Sequence, residues 1–441
     1  MKHFFIRLLR GALRDLSRLT VVRYQPRIIG VTGSVGKTST KLAIKAVLAK
    51  EFRVRTAEGN LNSELGLALT ILGDWKPDEL SLVTRDQEPG TRKIRKSFFW
   101  LKVLIRSAWH LLARDRNYPE ILILEYGADR PGDIKYLMKF ARPTVSVITA
   151  IGDIPVHVEY YAGPDEVARE KGRLIETLKS TGYAILNYDD DTVMNLKDRT
   201  RARVTTYGFA HGADLRIMRF ENRADGGTAA GISFKLEYGG SSVPVRIDGV
   251  LGHVHAYAAA AAAAIGLIFG MNLVKISEAL ADYQPAPSRT QLIPGVKQTI
   301  IIDDCYNASP LSMHAAIDAM RDLPPRRGSG QAGRKIAVLG DMLEIGKYAI
   351  EGHERIGKIV AGVADILVTV GPRAKFIADA AREAGMKRSN ILEFDTADEA
   401  KKPIEKLMKP GDLVLVKGSH AMQLERVVEE IRDMPRAEAV A

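Results

Sequence analysis

The 441-residue chain has a single cysteine, Cys305. An intrachain disulfide is therefore excluded, and the composition suits a reducing cytosol. It also lacks any uncharged apolar run of about 18 residues, so no segment reads as a membrane span. No small-residue cleavage site follows an uninterrupted apolar stretch at the N-terminus, which argues against a signal peptide. Excess charge is missing from most of the chain as well. The net charge is +11, but residues 1–28 carry +6 and residues 91–116 carry +7, leaving the rest near −2. The body has no basic field for nucleic acid, and no nucleic-acid partner is expected.

The remaining composition, 46% hydrophobic and 27% charged, is that of a globular protein, and the length suits two or three domains. Both basic segments are amphipathic. At about 100° per residue, Phe5, Leu8, Leu9, Ala12, Leu13, Leu16 and Leu19 share a face opposite Arg7, Arg10, Arg14 and Arg18. In the second segment Leu101, Leu104, Ile105, Ala108, Leu111 and Leu112 lie across from Arg95, Lys102 and Arg106. Such helices either pack on the body or lie on an anionic membrane surface. Peripheral membrane contact through residues 1–28 is the expectation, with packing against residues 98–113 as the competing outcome.

From Arg27 onward apolar strands alternate with helices. Residues 27–31, 121–125, 144–150 and 183–186 read as buried strands, and a helix is expected over residues 39–49. Residues 232–238 and 242–247 alternate and read as antiparallel strands. An alanine-rich helix is expected over residues 256–268. Residues 298–303, 335–339, 365–370 and 413–416 read as strands of a second α/β unit, and residues 324–333 as a loop. The expected class is α/β: a central, mostly parallel P-loop-type sheet with a small antiparallel addition, then a C-terminal Rossmann-like domain. The expected divisions are a basic segment over 1–28, a central domain over 29–286 with a basic insertion at 74–119, and a C-terminal domain over 287–441.

The strongest local signal is Gly33-Ser34-Val35-Gly36-Lys37-Thr38-Ser39 between a strand and a helix. That context suits a phosphate-cradling loop. Its amides would face phosphates, Lys37 would neutralise them, and Thr38 would bind Mg²⁺. Val31 stands where the common pattern has its first glycine. Glu125 ends a buried strand at its C-terminal edge, where open α/β sheets bind ligands, and a carboxylate there suits Mg²⁺.

Further motifs follow in order. They are Gly59-Asn60-Leu61-Asn62-Ser63-Glu64-Leu65-Gly66, Leu124-Glu125-Tyr126-Gly127-Ala128, Asp303-Asp304-Cys305-Tyr306-Asn307-Ala308-Ser309-Pro310, the run from Val338 to Gly346 with His353, and Val416-Lys417-Gly418-Ser419. With the phosphate loop they resemble the Mur ligase family from residue 29 to about 430, and the later ones resemble its D-alanyl-D-alanine-adding branch.

The resemblance implies an ATP- and Mg²⁺-dependent amide ligase of peptidoglycan synthesis, cytoplasmic and monomeric, acting on a precursor peptide and D-Ala-D-Ala. It implies catalytic roles for Lys37, Glu125, His157 and Lys171. Thr38, Glu125, His157 and a carbamylated Lys171 would hold metal. Gly33 to Ser39, Asn187, His255, Arg289 and Asp304 would contact the nucleotide, and Asn60, Asn62, Tyr306 and Asn307 the substrates. His255 takes the position of a family asparagine near adenine, with His253 as the alternative. Ser288 precedes Arg289 where the family often has glycine. Only about thirty residues precede the loop, too few for the family's usual domain for the carrier end of the precursor. A related ligase with another amino-acid or peptide substrate, or a P-loop switch that forms no amide, remains an alternative.

Overall fold

The computed structural model describes residues 2–57, 62–84, 91–113, 115–225, 228–323 and 333–433. In chain order the first part comprises α1 (Lys2–Tyr24), β1 (Arg27–Thr32), α2 (Lys37–Leu48), β2 (Val54–Thr56), α3 (Glu64–Leu72), α4 (Pro77–Thr84), α5 (Thr91–Leu112), β3 (Ile121–Glu125), α6 (Asp133–Leu137), β4 (Val145–Ile148), α7 (Pro164–Glu176), β5 (Tyr183–Asn187), α8 (Asp191–Met194) and β6 (Arg203–Gly208). Then follow β7 (Leu215–Asp225), β8 (Thr228–Tyr238), β9 (Ser241–Asp248), α9 (His253–Ile268) and α10 (Leu273–Ala281).

Among the described residues these strands form one nine-stranded sheet, ordered β2-β3-β1-β4-β5-β6-β7-β8-β9. Every residue of β1 after Arg27 is buried, and β3 and β4 flank it in parallel. A strand apolar on both faces needs cover on both, which crossover helices supply. β8 and β9 run antiparallel, as their alternating sequence predicts. β7, whose pattern is less regular, joins β6 in parallel.

The alanines of α9 have a packing reason. Ala258 to Ala264 are all buried between α2 and the sheet, where short side chains permit close approach. A Cβ added at Gly266 would stand 2.9 Å from Ile276. α2 begins at Lys37, two residues earlier than its apolar periodicity suggests.

The second part comprises β10 (Gln291–Gly295), β11 (Thr299–Asp304), α11 (Pro310–Asp322), β12 (Lys335–Gly340), α12 (Ala349–Ala361), β13 (Ile366–Val370), α13 (Lys375–Glu383), β14 (Ile391–Phe394), α14 (Ala397–Leu407), β15 (Leu413–Lys417) and α15 (Glu425–Ile431). Its sheet order is β10-β11-β15-β12-β13-β14, parallel except for the edge strand β10. The loop expected over 324–333 lies outside the described residues except for Gly333.

The N-terminal helix departs from its expected single apolar face. α1 packs on α3 and α5, burying Leu13, Ser17 and Thr20 and resting Leu9 and Leu16 on their core. Leu8 and Leu19 point away and are exposed. The face divides because only the stripe around Leu13 reaches the groove between the two helices.

Candidate active site

β1 runs into a loop from which α2 departs, and β1's neighbours β3 and β4 lie on opposite sides of it. A crevice opens at such a point. Gly33 has φ 148, and a Cβ there would stand 2.0 Å from Thr149 Oγ1, so only glycine fits. Gly36, at φ 87, caps α2 without any side chain on the first amides. An uncapped helix start presents amides and a partial positive charge to an anion. The earlier loop amides are arranged differently from the expectation. Ser34 N and Val35 N donate to Ala150 O at 2.6 and 3.2 Å, which leaves the start of α2 as the anion-facing end. Ser34 Oγ is buried and finds no hydrogen-bond partner among the described residues.

Lys37 folds back on its loop, Nζ donating to Gly33 O at 2.9 Å. Burial pushes its pKa down, and Glu125 opposes the shift. Glu125 closes the crevice from β3. Its Oε2 accepts from Thr38 Oγ1 at 3.2 Å and stands 3.5 Å from Lys41 Nζ, both Lys41 and Glu125 being buried. Its Oε1 is buried and unpartnered among the described residues. Lys171, on α7, is also buried. Burial and then the charge of Lys37 lower its pKa to about 7, so a large fraction is the free amine near neutrality. His157, at φ 69, lies 3.3 Å from Asp129 and 3.0 Å from Glu344 through its two ring nitrogens.

The second sheet supplies the opposite wall. The guanidinium of Arg289 stacks 3.9 Å over the ring of Tyr306, which stacks in turn on His420. Asp304 Oδ2 accepts from buried Lys417 at 2.6 Å, and its Oδ1 accepts from Thr290 N at 3.1 Å. The carboxylate lines the cleft with both oxygens already engaged. Ser288 has φ 58, in the left-handed region that favours glycine, and its hydroxyl donates to Asp303 at 2.9 Å.

Together these walls bound a cleft of about 1160 Å³, open to solvent, lined by Ser34 to Ser39, Asn62, Glu125, His157, Arg289, Asp304, Tyr306, Asn307 and Lys417 among others. Asn60 lies outside the described residues. Two expected nucleotide contacts sit differently. His255 is fully buried, with Nδ1 3.0 Å from Tyr283 Oη and Nε2 2.9 Å from Arg289 O. One ring nitrogen pairs with the Tyr283 hydroxyl and the other with the backbone carbonyl of Arg289, so both are engaged within the protein although the residue borders the cleft. Asn187 accepts from Asp189 N and does not line the cleft, because it ends β5 two strands from the loop.

Residues 108–266 match the Mur ligase middle domain, and residues 288–420 match the Mur ligase, glutamate ligase domain. The chain belongs to the Mur ligase family. This Mur ligase is 29% identical over 427 residues to a UDP-N-acetylmuramoyl-tripeptide–D-alanyl-D-alanine ligase of Bacillus subtilis, spanning 96% of this chain and 80% of that protein. The Escherichia coli ligase of the same name is 25% identical over 429 residues, spanning 96% and 81%. The crystal structure of MurF ligase from Thermotoga maritima in complex with ADP superposes with a TM-score of 0.74 at 26% identity, covering 96% of this Mur ligase and 83% of that chain. The enzyme is accordingly an ATP-dependent ligase.

The structure gives contacts to four side chains for which the motifs of this Mur ligase suggest no role: Lys41, Asp129, Glu344 and Lys417. Lys41 follows Lys37 by one helical turn, a spacing that places both on one face. Glu344 lies inside the motif at 338–346, yet its partner His157 lies in the turn that follows β4 of the other sheet. No local pattern signals that contact.

Proposed function

We propose that the enzyme joins D-alanyl-D-alanine to the terminal carboxylate of a peptidoglycan-precursor stem peptide, with ATP converted to ADP and phosphate. The observation that carries this reading is one cleft with two walls. The uncapped start of α2, with Lys37, faces Arg289 and Asp304 across it. In that space a nucleotide triphosphate and an acceptor carboxylate can meet.

The carboxylate oxygen of the stem peptide attacks the γ-phosphorus. The bond from phosphorus to the bridging oxygen breaks, and ADP leaves with that electron pair. The amine of D-Ala-D-Ala then attacks the acyl carbon, the carbon–oxygen bond to phosphate breaks, and the amine loses a proton. No protein nucleophile is required. Lys37 leaves its loop carbonyls for the phosphates and offsets the charge that develops there. Arg289 approaches the nucleotide from the hinge, Asp304 accepts from its ribose, and Asn60, Asn62, Tyr306 and Asn307 border the peptide substrates. Closure of the walls excludes water, which would otherwise hydrolyse the acyl phosphate.

The unpartnered Oε1 of Glu125 beside the Thr38 hydroxyl is an oxygen set that fits Mg²⁺. Among the described residues no three His, Cys, Asp or Glu side chains cluster as a complete metal site, so phosphate oxygens would complete the shell. His157 and a carbamylated Lys171 are the candidates for a second Mg²⁺. These ions would disperse charge on the phosphates.

The divisions at 1–28, 29–286 and 287–441 are proposed as functional units. The enzyme would work as a monomer in the cytosol, touching the anionic inner face of the membrane peripherally. The amphipathic segment over residues 1–28, with arginines opposite leucines, supports that contact. ADP release, measured with each peptide alone and with both, tests the chemistry. Release that requires both peptides supports ligation. Release indifferent to either is the behaviour of a nucleotide switch.

A further inference from the structure

Eight of the thirteen large hydrophobic side chains that stand exposed among the described residues lie on α1 and α5. On α5 they are Phe98, Leu101, Ile105, Trp109 and Leu112, which recur at helical spacing along one side. The stripe is about 21 Å long. Its core is well exposed, with Ile105 at 62% and Trp109 at 66%. The opposite side of α5 buries Phe99, Trp100, Val103 and Ser107, so the helix is anchored and the stripe is surplus to the fold. α1 adds Leu8, Leu19 and Val22, with Asp15 interrupting them. The two helices meet at their C-terminal ends, where Tyr24 Oη donates to His110 O at 2.7 Å and Arg23 Nη2 to Leu112 O at 3.4 Å.

The surroundings of the stripe are cationic. Arg7 and Arg18 are exposed and form no ion pair among the described residues, and Arg95 is exposed beside the stripe. Lys102 pairs with Glu79, so part of the charge is spent inside the fold. A second copy of this chain fits poorly, since a two-fold contact would bring the same arginines together from both sides. A lipid surface with anionic headgroups fits both features, with apolar side chains in the acyl boundary, arginines on phosphates and an aromatic residue at the interface. No helix among the described residues is long and apolar enough to cross the bilayer, so the contact lies in the surface plane.

We infer that α5 is the membrane-docking element of this enzyme, with α1 as its cationic flank. The inference rests on the peripheral location proposed above and is independent of which amide is made. It moves the anchor from the N-terminal segment, part of which is committed to packing, to the insertion. It also places the contact near the acceptor. α1 lies on α3, tied by Arg10 to Glu64 at the start of α3, and α3 follows Asn62 in the cleft.

The chain carries its own reporter, because Trp75 and Trp100 are buried and Trp109 alone of the three tryptophans is exposed. The full chain is mixed with phosphatidylcholine vesicles, with and without phosphatidylglycerol. The expected results are flotation with the anionic vesicles, a blue shift of tryptophan emission, and weakening of both by salt. Trp109→Phe should float but lose the blue shift. Leu101→Ser with Ile105→Ser should lower vesicle partition about tenfold or more, with circular dichroism and ligation of soluble substrates unchanged. Arg7→Gln with Arg18→Gln should weaken binding only to the anionic vesicles. Failure to float, or equal binding by the Leu101/Ile105 variant, overturns the inference. So does a dimer in sedimentation that this variant converts to monomer, which would give the stripe to a second copy. Vesicle binding with no ligation would remove the proposed chemistry and leave the docking element standing.

Discussion

Lys37, Lys41 and Lys171 are three buried or half-buried amines with different surroundings: the first two share the field of Glu125, and Lys171 feels the charge of Lys37. Lys37 contacts its own loop carbonyls, which are inexpensive to leave. Lys37→Ala should therefore cut ADP formation by about a hundredfold or more, with the circular dichroism spectrum unchanged. A folded variant with near wild-type turnover would remove Lys37 from the chemistry. Lys41 holds Glu125 in a buried pair. Lys41→Met leaves a buried carboxylate uncompensated and should destabilise by about 3–5 kcal/mol in denaturant titration. Adding Glu125→Gln should recover part of that loss, and strict additivity of the two changes would contradict the pairing.

Lys171 is the titrating one. Its pKa falls from the ordinary 10.5 to about 7 on folding. Between those values the unfolded chain binds more protons, so this residue's contribution to stability rises with pH across about 7 to 10.5. Below about 7 the amine is charged and cannot take up CO₂. Activity should then fall on the acid side of neutrality, drop in CO₂-depleted buffer and return with bicarbonate. Lys171→Ala should lose activity and regain part of it with small carboxylates. Full activity without CO₂ would leave Lys171 a plain amine. The glycines of the loop were readable in the sequence because their backbone angles and close contacts admit little else. The burial of Lys41 and His255 was not, since burial of a polar side chain is decided by which distant element covers it.

At the scale of elements, α1 shows what amphipathic periodicity can and cannot say. The helix was legible, but its apolar arc is wider than the groove that receives it. Leu13→Ala should cost about 2–5 kcal/mol, and Leu8→Ala within about 0.5 kcal/mol of nothing, both read from thermal or denaturant unfolding. Equal costs would mean that α1 is seated in another rotation. Long buried strands such as β1, β3 and β15 were read within a residue or so, because an apolar run between helices has few other uses. β2, β10 and β14 escaped notice because each is short, lies at a sheet edge and takes its structure from one neighbour. β7 escaped because its two register shifts break the alternation that marks a strand.

At the scale of the molecule, two sheets turn the ends of β1 and β3 and of β11 and β15 toward one cleft. Ordered motifs made that division legible, because residues far apart in sequence repeat a known series of chemical roles. The cross-wall contacts, Glu344 to His157 and His255 to the backbone of Arg289, exist only once both walls are built. Charge is likewise segregated, with the basic excess on α1, α5 and their flanks and a nearly neutral body around the cleft. The proposed activity is amide formation in this cleft between a precursor carboxylate and a D-Ala-D-Ala amine. Mass spectrometry of the purified enzyme with ATP, Mg²⁺, a UDP-N-acetylmuramoyl tripeptide and D-Ala-D-Ala tests it most directly. The predicted result is a product with the combined mass of the two peptides less one water, formed together with ADP and absent when Lys37→Ala replaces the enzyme. ATP turnover with no joined product, or joining of a different amine in its place, would contradict that activity.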